Sequence, residues 1–357
     1  MTIMLETPSR VTLTDQNLDL FTLFPLLRTK QDYDRMYQAI RQYCDEGAAA
    51  QVTEADSPDE AAKKRQSAQC QKAWKIIEAN MAQWENAILG ADKGNIQRVP
   101  FKKAFTENPA GNTPKFFEKE EQDASLPPGL ERKKAWEDRE MEYSDVSTRM
   151  RVFPAGYRAD HTIAFAADTH GDGPSTKDVL IAMGILQDEQ SPLSQSDKKS
   201  HVVFGGDIVD RGDAGPCPLI TLLETWSRPK NVDRMTVVCG DHEDISAKNV
   251  LDSLMRVGDN DLLKKRLSSL LPTAALFRGE KWSGHILCTH GLPGGEMGNV
   301  LVLRLPFLWG STHDRSIGLL ATTHDKCLVA ARRLGISQIF TGHEHMNYLA
   351  CSQEVTL

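Results

Sequence analysis

A series of short apolar runs, each halted by side chains able to bind a metal, constrains this chain more than any other feature. One of them, His201-Val-Val-Phe204, turns through Gly205-Gly206 and sets down Asp207, Asp210 and Arg211 within five residues. Its β-branched and aromatic residues predict a buried strand. Asp207 and Asp210 lie three apart, so they do not share a face of a continuing strand. They belong to a loop just past its end, where open α/β sheets place their ligands. The other runs behave alike. His161–Ala167 precedes Asp168-Thr-His-Gly-Asp172, and Met235–Cys239 precedes Gly240-Asp-His-Glu243. His285–Thr289 precedes His290-Gly291, and Ile336–Thr341 precedes Gly342-His-Glu-His345. Helix-like segments Thr176–Leu186, Pro218–Thr225 and Asn249–Leu271 fall between them, and this alternation predicts an α/β domain with its sheet sandwiched by helices.

Upstream the texture is different. Tyr33, Met36, Tyr37, Ile40 and Tyr43 form a helical stripe between Gln31 and Asp45, and Gly47–Asp56 reads as a connection. Ser57-Pro-Asp-Glu60 is a helix start: Ser57 caps, Pro58 suits the first turn, and Glu60 closes a capping box. The helix is expected to run to about Leu89, with Trp74, Ile77, Met81, Trp84 and Ile88 on one face. Residues 91–128 are rich in turn formers, and a charged helix fits Leu130 to Tyr143. The division expected is a mainly helical region over 1–150, serving as a cap or for partner recognition, and a catalytic domain over 151–357.

Composition narrows the function. All ten histidines lie between His161 and His345, which places the chemistry in the later region. The formal net charge of −7 argues against a general nucleic-acid binder, and no tract of eighteen apolar residues offers a membrane span. Met1–Pro8 lacks the basic-then-apolar pattern of a Sec signal. Seven cysteines without a Cys-x-x-Cys pair read as free thiols in a reducing cytosol. A lone histidine at a strand end is more often structural than a ligand, but five strand ends carrying such groups point to one metal-binding crevice.

This pattern resembles the binuclear metallophosphoesterase superfamily, and within it the PPP-type phosphoprotein phosphatases. The blocks of that family are Gly-Asp-x-His-Gly, Gly-Asp-x-Val-Asp-Arg-Gly, Gly-Asn-His-Glu, His-Gly and a late His. Gly206–Gly212 matches the second block at every fixed position, and Leu308–Gly318 is similar to a segment that carries a second phosphate-binding arginine. The likeness covers about residues 160–345. A PPP-like core with a separate helical region is also similar to secreted bacterial effector phosphatases.

The resemblance implies a metallophosphoesterase-type β-sandwich flanked by helices, preceded by the helical region. It implies two divalent cations, manganese foremost and iron or zinc otherwise. Asp168 and His170, with His345 as an additional ligand, would hold one; Asp241, His290 and His343 would hold the other, with Asp207 bridging. His242 would protonate the leaving group, oriented by Asp210, while Arg211 and Arg315 grip phosphate oxygens. The implied function is hydrolysis of Ser/Thr or Tyr phosphoesters in a phosphoprotein. The setting would be the cytoplasm, or a host cytosol for a delivered effector, with a protein partner on the helical region.

The match departs from the family at Ala167 in place of glycine, at the Gly-His-x-His ending that brings in His345, and at Asp241 in place of asparagine. A carboxylate at 241 still ligates, but adds negative charge where a phosphate dianion must bind. Two further readings therefore stand beside the phosphoprotein phosphatase: a small-molecule or nucleotide phosphoesterase, and a metal-binding pseudophosphatase.

Overall fold

The computed structural model describes residues 11–49, 51, 53, 56–92, 94–100, 104, 149–157, 161–188, 190, 199–212, 215–243, 254–257, 260–279, 284–291 and 334–343. The helical start is as the sequence reads. After α1 (Leu20–Leu23) comes α2 (Lys30–Ala49), in which Tyr33, Met36, Tyr37, Ile40 and Tyr43 are all buried. Gly47-Ala-Ala49, expected in a connection, continues α2, as its alanines favour. The capping box opens α3 (Pro58–Ala91): the Ser57 hydroxyl accepts from the Glu60 N–H at 3.4 Å, and the Glu60 carboxylate accepts from the Ser57 N–H at 3.2 Å. Trp74, Ile77, Met81, Trp84 and Ile88 face the core. The helix proposed for Leu130–Tyr143 lies outside the described residues. Among the described residues no helix is long and apolar enough to cross a membrane, and Cys44, Cys70, Cys217, Cys239 and Cys288 are buried and form no disulfide.

Two sheets follow. β3 (His161–Ala166), β4 (Lys199–Phe204) and β5 (Met235–Val237) form a parallel three-stranded sheet. β1 (Gln97–Pro100), β2 (Arg149–Phe153), β6 (Ala274–Phe277), β7 (His285–Thr289) and β8 (Ile336–Phe340) form a five-stranded sheet in the order β1-β2-β6-β7-β8. Strands β1, β2 and β6 go beyond the expected set. They are short, and in β2 the fully buried Arg151 inverts the polar-out pattern that sequence reading relies on.

Residue parity along β4 shows the layering. Val203 joins Phe153, Ala275, Phe277 and Ile286 in a core shared by both sheets, whereas Val202 and Phe204 face the helices. Those helices are α2, α3, α4 (Gly173–Ala182), α5 (Cys217–Trp226), α6 (Leu254–Val257) and α7 (Asp261–Leu270). The single helix expected over Asn249–Leu271 is corrected to α6 and α7. Asn260 starts the second by accepting from the Leu263 N–H at 3.0 Å, an N-cap signal that interrupts the periodic run.

The helical segment and the later region share packing. Ile40 of α2, Trp84 of α3, Leu222 of α5, Val237 of β5 and Leu267 of α7 lie in one apolar core. β2 runs across residue 150 and pairs in parallel with β6. At the end of α3, Asp92 accepts from Arg98 of β1 at 3.0 Å and from Arg151 of β2 at 2.8 Å. Arg151 also donates to Thr236 Oγ1 at 2.9 Å and to the Met235 and Val232 carbonyls, which ties the five-stranded sheet to β5.

Candidate metal centre

The register of the three-stranded sheet aligns its strand ends. Ala166 pairs with Phe204, which pairs with Val237, so the loops after β3, β4 and β5 emerge side by side. β7 and β8 are also parallel, and deliver residues 290 and 341–343 at a common end. Backbone hydrogen bonds lace the loops together: Asp168 N–H to Gly206 O at 3.1 Å, His170 N–H to Asp207 O at 2.8 Å, and Gly342 N–H to His290 O at 2.9 Å. The close approach needs glycine at two points. A Cβ on Gly206 would lie 2.5 Å from the Gly240 backbone, and one on Gly342 would lie 2.4 Å from the Asp168 carboxylate.

The backbone here is strained. Among the described residues, the non-glycine positions with positive φ are Asp168 (55°), His170 (42°), Asp207 (52°), Asp210 (67°), Arg211 (61°) and His343 (69°). Each was singled out from sequence for its chemistry. Left-handed backbone costs about 1–3 kcal/mol per residue and persists where the surroundings enforce it, typically at functional sites.

Two ligand clusters result, and Asp207 belongs to both. One contains Asp207, Asp241, His290 and His343, and the other His170, Asp207 and His242, with candidate ligand atoms within 4.8 Å of one another in each. His290 Nε2 lies 2.8 Å from Asp241 Oδ1 and 3.4 Å from Asp207 Oδ1, while His343 Nδ1 lies 3.1 Å from Asp241 Oδ1. His170 Nε2 lies 3.6 Å from Asp207 Oδ2.

The donor set fits divalent transition cations. His290 and His170 each direct Nδ1 at a main-chain carbonyl, of Gly205 at 2.8 Å and Val209 at 3.3 Å. A carbonyl only accepts, so Nδ1 carries the proton and Nε2 faces the carboxylates, the orientation of a metal-ligating histidine. Burial pulls His170 below the usual imidazole range despite Asp207, which favours the neutral, ligating form. Burial also opposes charge on His290, yet Asp207 and Asp241 outweigh it and push its pKa well above the ordinary value. The cluster thus demands positive charge at the point where a cation would sit. Asp168 adjoins this site, but its carboxylate accepts from the His343 N–H at 2.9 and 3.1 Å and is in neither cluster. Arg315 and His345 lie outside the described residues.

The third member of the second cluster, His242, is the residue for which the resemblance implies proton donation. His242 Nδ1 lies 2.9 Å from Asp210 Oδ2, and its Nε2 lies 3.8 Å from Asp207 Oδ2 and 3.5 Å from the exposed Arg211 guanidinium. Burial works against a charged His242, but the Asp210 hydrogen bond and the Asp207 and Asp241 charges prevail and raise its pKa to about 9. Burial raises Asp210 as well, opposed by His242 and by the Leu254 backbone N–H.

Glu243 belongs to the machinery although sequence reading gave it no role. Its Oε1 accepts from the Ile208 and Val209 N–H groups at 2.8 and 3.0 Å, and its Oε2 from those of Asp207 and Gly240 at 2.8 and 2.9 Å. Burial and the Asp207 charge push its pKa up to about 7, yet with N–H donors on both oxygens the arrangement requires the ionised form. It clamps the loop that presents Asp207. The available signal was a glutamate directly after a buried strand and a histidine. Glu243→Gln replaces one acceptor oxygen with an NH₂ group that faces N–H donors, and should lower metal affinity and turnover about 10–100-fold. Metal titration of the purified variant checks this; unchanged affinity would rule out the clamp.

Fold and site together define a metal-dependent phosphoester hydrolase. A family model for calcineurin-like phosphoesterases matches residues 161–347, just over half of the chain. The protein belongs to this calcineurin-like phosphoesterase family. Among solved structures it is similar to a protein serine/threonine phosphatase from Saccharomyces cerevisiae that itself has similarity to human phosphatase PP5. Identity is 15%, the TM-score is 0.37, and the match covers 62% of this chain and 73% of that one. No curated protein sequence matches the chain.

Proposed function

We propose that this protein is a phosphoprotein phosphatase of the PPP type, acting on Ser/Thr or Tyr phosphoesters with two divalent cations, manganese foremost. The observation that carries this reading is Asp207, whose two oxygens face separate clusters. Asp207, Asp241, His290 and His343 would hold one cation, and Asp207 and His170 the other, with Asp168 and His345 completing it. When bound, the cations supply Lewis acidity that acidifies water and offsets phosphate charge.

The chain's own residues perform the rest. Arg211 stands at the mouth of the site, where its planar fork can bind two phosphate oxygens, and Arg315 is assigned the same task. Water adds its oxygen to phosphorus as the ester P–O bond breaks. The leaving oxygen takes the proton from His242 Nε2, and the proton released by the water restores the imidazolium. Asp210 holds the ring through Nδ1 and stabilises its charged form. The phosphoprotein is the proposed partner, the cytoplasm or a host cytosol the proposed setting.

The test is hydrolysis of para-nitrophenyl phosphate and of phosphopeptide and nucleotide panels, with manganese and with chelator. Chelator-sensitive turnover that favours phosphopeptides supports the reading, and a preference for nucleotides moves it to a small-molecule phosphoesterase. Asp241 adds a like charge beside the phosphate site, so Asp241→Asn should raise kcat/KM about tenfold at neutral pH, chiefly through a lower KM. Metal binding without turnover in both forms would establish a pseudophosphatase instead.

A further inference from the structure

We infer that Tyr37, on α2 far upstream in sequence, is a positioning residue for the His170 cation site and acts through the start of α4. The inference rests on the two-cation reading.

His170 lies in a tight turn. The Asp172 N–H donates to the Thr169 carbonyl at 2.9 Å, and the residues enclosed, His170 and Gly171, both have positive φ, 42° and 77°. Glycine adopts that backbone freely, but histidine does so only under restraint. One flank supplies part of it: the His170 N–H donates to Asp207 O at 2.8 Å and the Gly171 N–H to Ile208 O at 2.7 Å. The other flank is α4. Asp172 caps this helix, accepting on its carboxylate from the Ser175 N–H at 3.0 Å and on its carbonyl from Thr176 Oγ1 at 2.8 Å. The turn therefore runs straight into the helix start, and follows its position.

Tyr37 fixes where that start sits. Its buried ring lies against Gly173, the first residue of α4, so closely that a Cβ there would come within 2.3 Å of Tyr37 Cζ and 2.4 Å of its hydroxyl. The upstream segment holds α4 at two more points. Asp34 Oδ1 pairs with Lys177 Nζ at 2.7 Å, and past the end of α4 the Lys30 N–H donates to the Gln187 carbonyl at 3.0 Å. Of these contacts that of Tyr37 is nearest the turn, one residue past Asp172.

The arrangement gives the contact a specific signature. Asp241, His290 and His343 follow β5, β7 and β8, whereas His170 belongs to the segment that α4 continues. Losing a group that orients a ligating histidine typically costs about 10–100-fold in metal affinity, so Tyr37→Ala should weaken the His170 cation about tenfold and the other less than about twofold.

The experiment is calorimetric titration of the dialysed full chain with manganese, without substrate. The binding step that His170→Ala abolishes marks the His170 site. Tyr43→Ala is the control: Tyr43 is buried further along α2, its hydroxyl donating to Asp15, and its loss should lower stability without separating the two steps. Gly173→Ala, whose methyl enters the space of the Tyr37 ring, should also weaken the His170 step, and Tyr37→Ala/Gly173→Ala should bind better than Gly173→Ala alone. An equal loss on both steps or none in Tyr37→Ala, the same split in Tyr43→Ala, or a double variant that binds no better overturns the inference and leaves the two-cation reading intact. Wild-type protein that binds fewer than two manganese ions overturns that reading, and the inference with it. Should Tyr37→Ala fail to fold, Tyr37→Leu is titrated in its place, and the same split is expected.

Discussion

Asp207→Asn is expected to lower kcat/KM for a phosphomonoester by at least about a thousandfold. The carboxylate spans the two clusters: Oδ1 accepts the His242 backbone N–H at 3.1 Å and lies 3.4 Å from His290 Nε2, and Oδ2 lies 3.6 Å from His170 Nε2. An amide keeps one acceptor oxygen and turns an NH₂ group toward an imidazole on the other side. Lewis-acid stabilisation of a reacting phosphate amounts to several kcal/mol, and about 1.4 kcal/mol corresponds to tenfold in rate. The backbone at 207 keeps its bond to Glu243, so the loop should hold its course. Kinetics with added manganese, together with the metal content of dialysed protein, check this. A loss below tenfold at unchanged metal stoichiometry would show that Asp207 is not a shared ligand.

The largest effect on stability is expected far from that crevice. Asp92→Ala should reduce the free energy of unfolding by about 3–5 kcal/mol, the usual consequence of removing one member of a buried ion pair. Asp92 carries two guanidiniums, those of Arg98 and Arg151, whose side chains are 6% and 0% exposed. The carbonyls of Met235 and Val232 keep Arg151 in place, so its charge stays buried after its counter-charge has gone. Urea unfolding measures the loss. Removing the second charge as well, in Asp92→Ala/Arg151→Met, should recover a large part of it. A drop below about 1 kcal/mol in the single variant would mean that solvent reaches the pair.

The contrast between these two residues shows what a sequence discloses. Asp207 was legible because chemistry and local pattern coincide there: a buried strand, then glycines, then acids. The same holds for His170, Asp241, His290 and His343, each just past an apolar run. Asp92 was illegible because nothing near it in sequence announces Arg151, which is 59 residues away and lies on a strand where arginine normally marks the solvent face. Glu243 falls between these cases. It stands inside a block noticed for its neighbours, but its role appears only when the loop after β4 folds over it. Sequence periodicity likewise found α2 and α3 yet merged α6 with α7, since one side-chain cap outweighs an apolar stripe at a helix end.

The placement of β2 between β1 and β6 matters to anyone who would trim this protein to its recognisable core. A piece restricted to the family match at residues 161–347 would lack β2 and leave the edge of β6 bare, with Ala275 and Phe277 beside an open ladder of N–H and C=O groups. Uncovered strands of this kind recruit other strands, from neighbouring chains if no native partner is present. The upstream segment thus covers this edge of β6, and a piece without it is expected to self-associate more readily than the full chain.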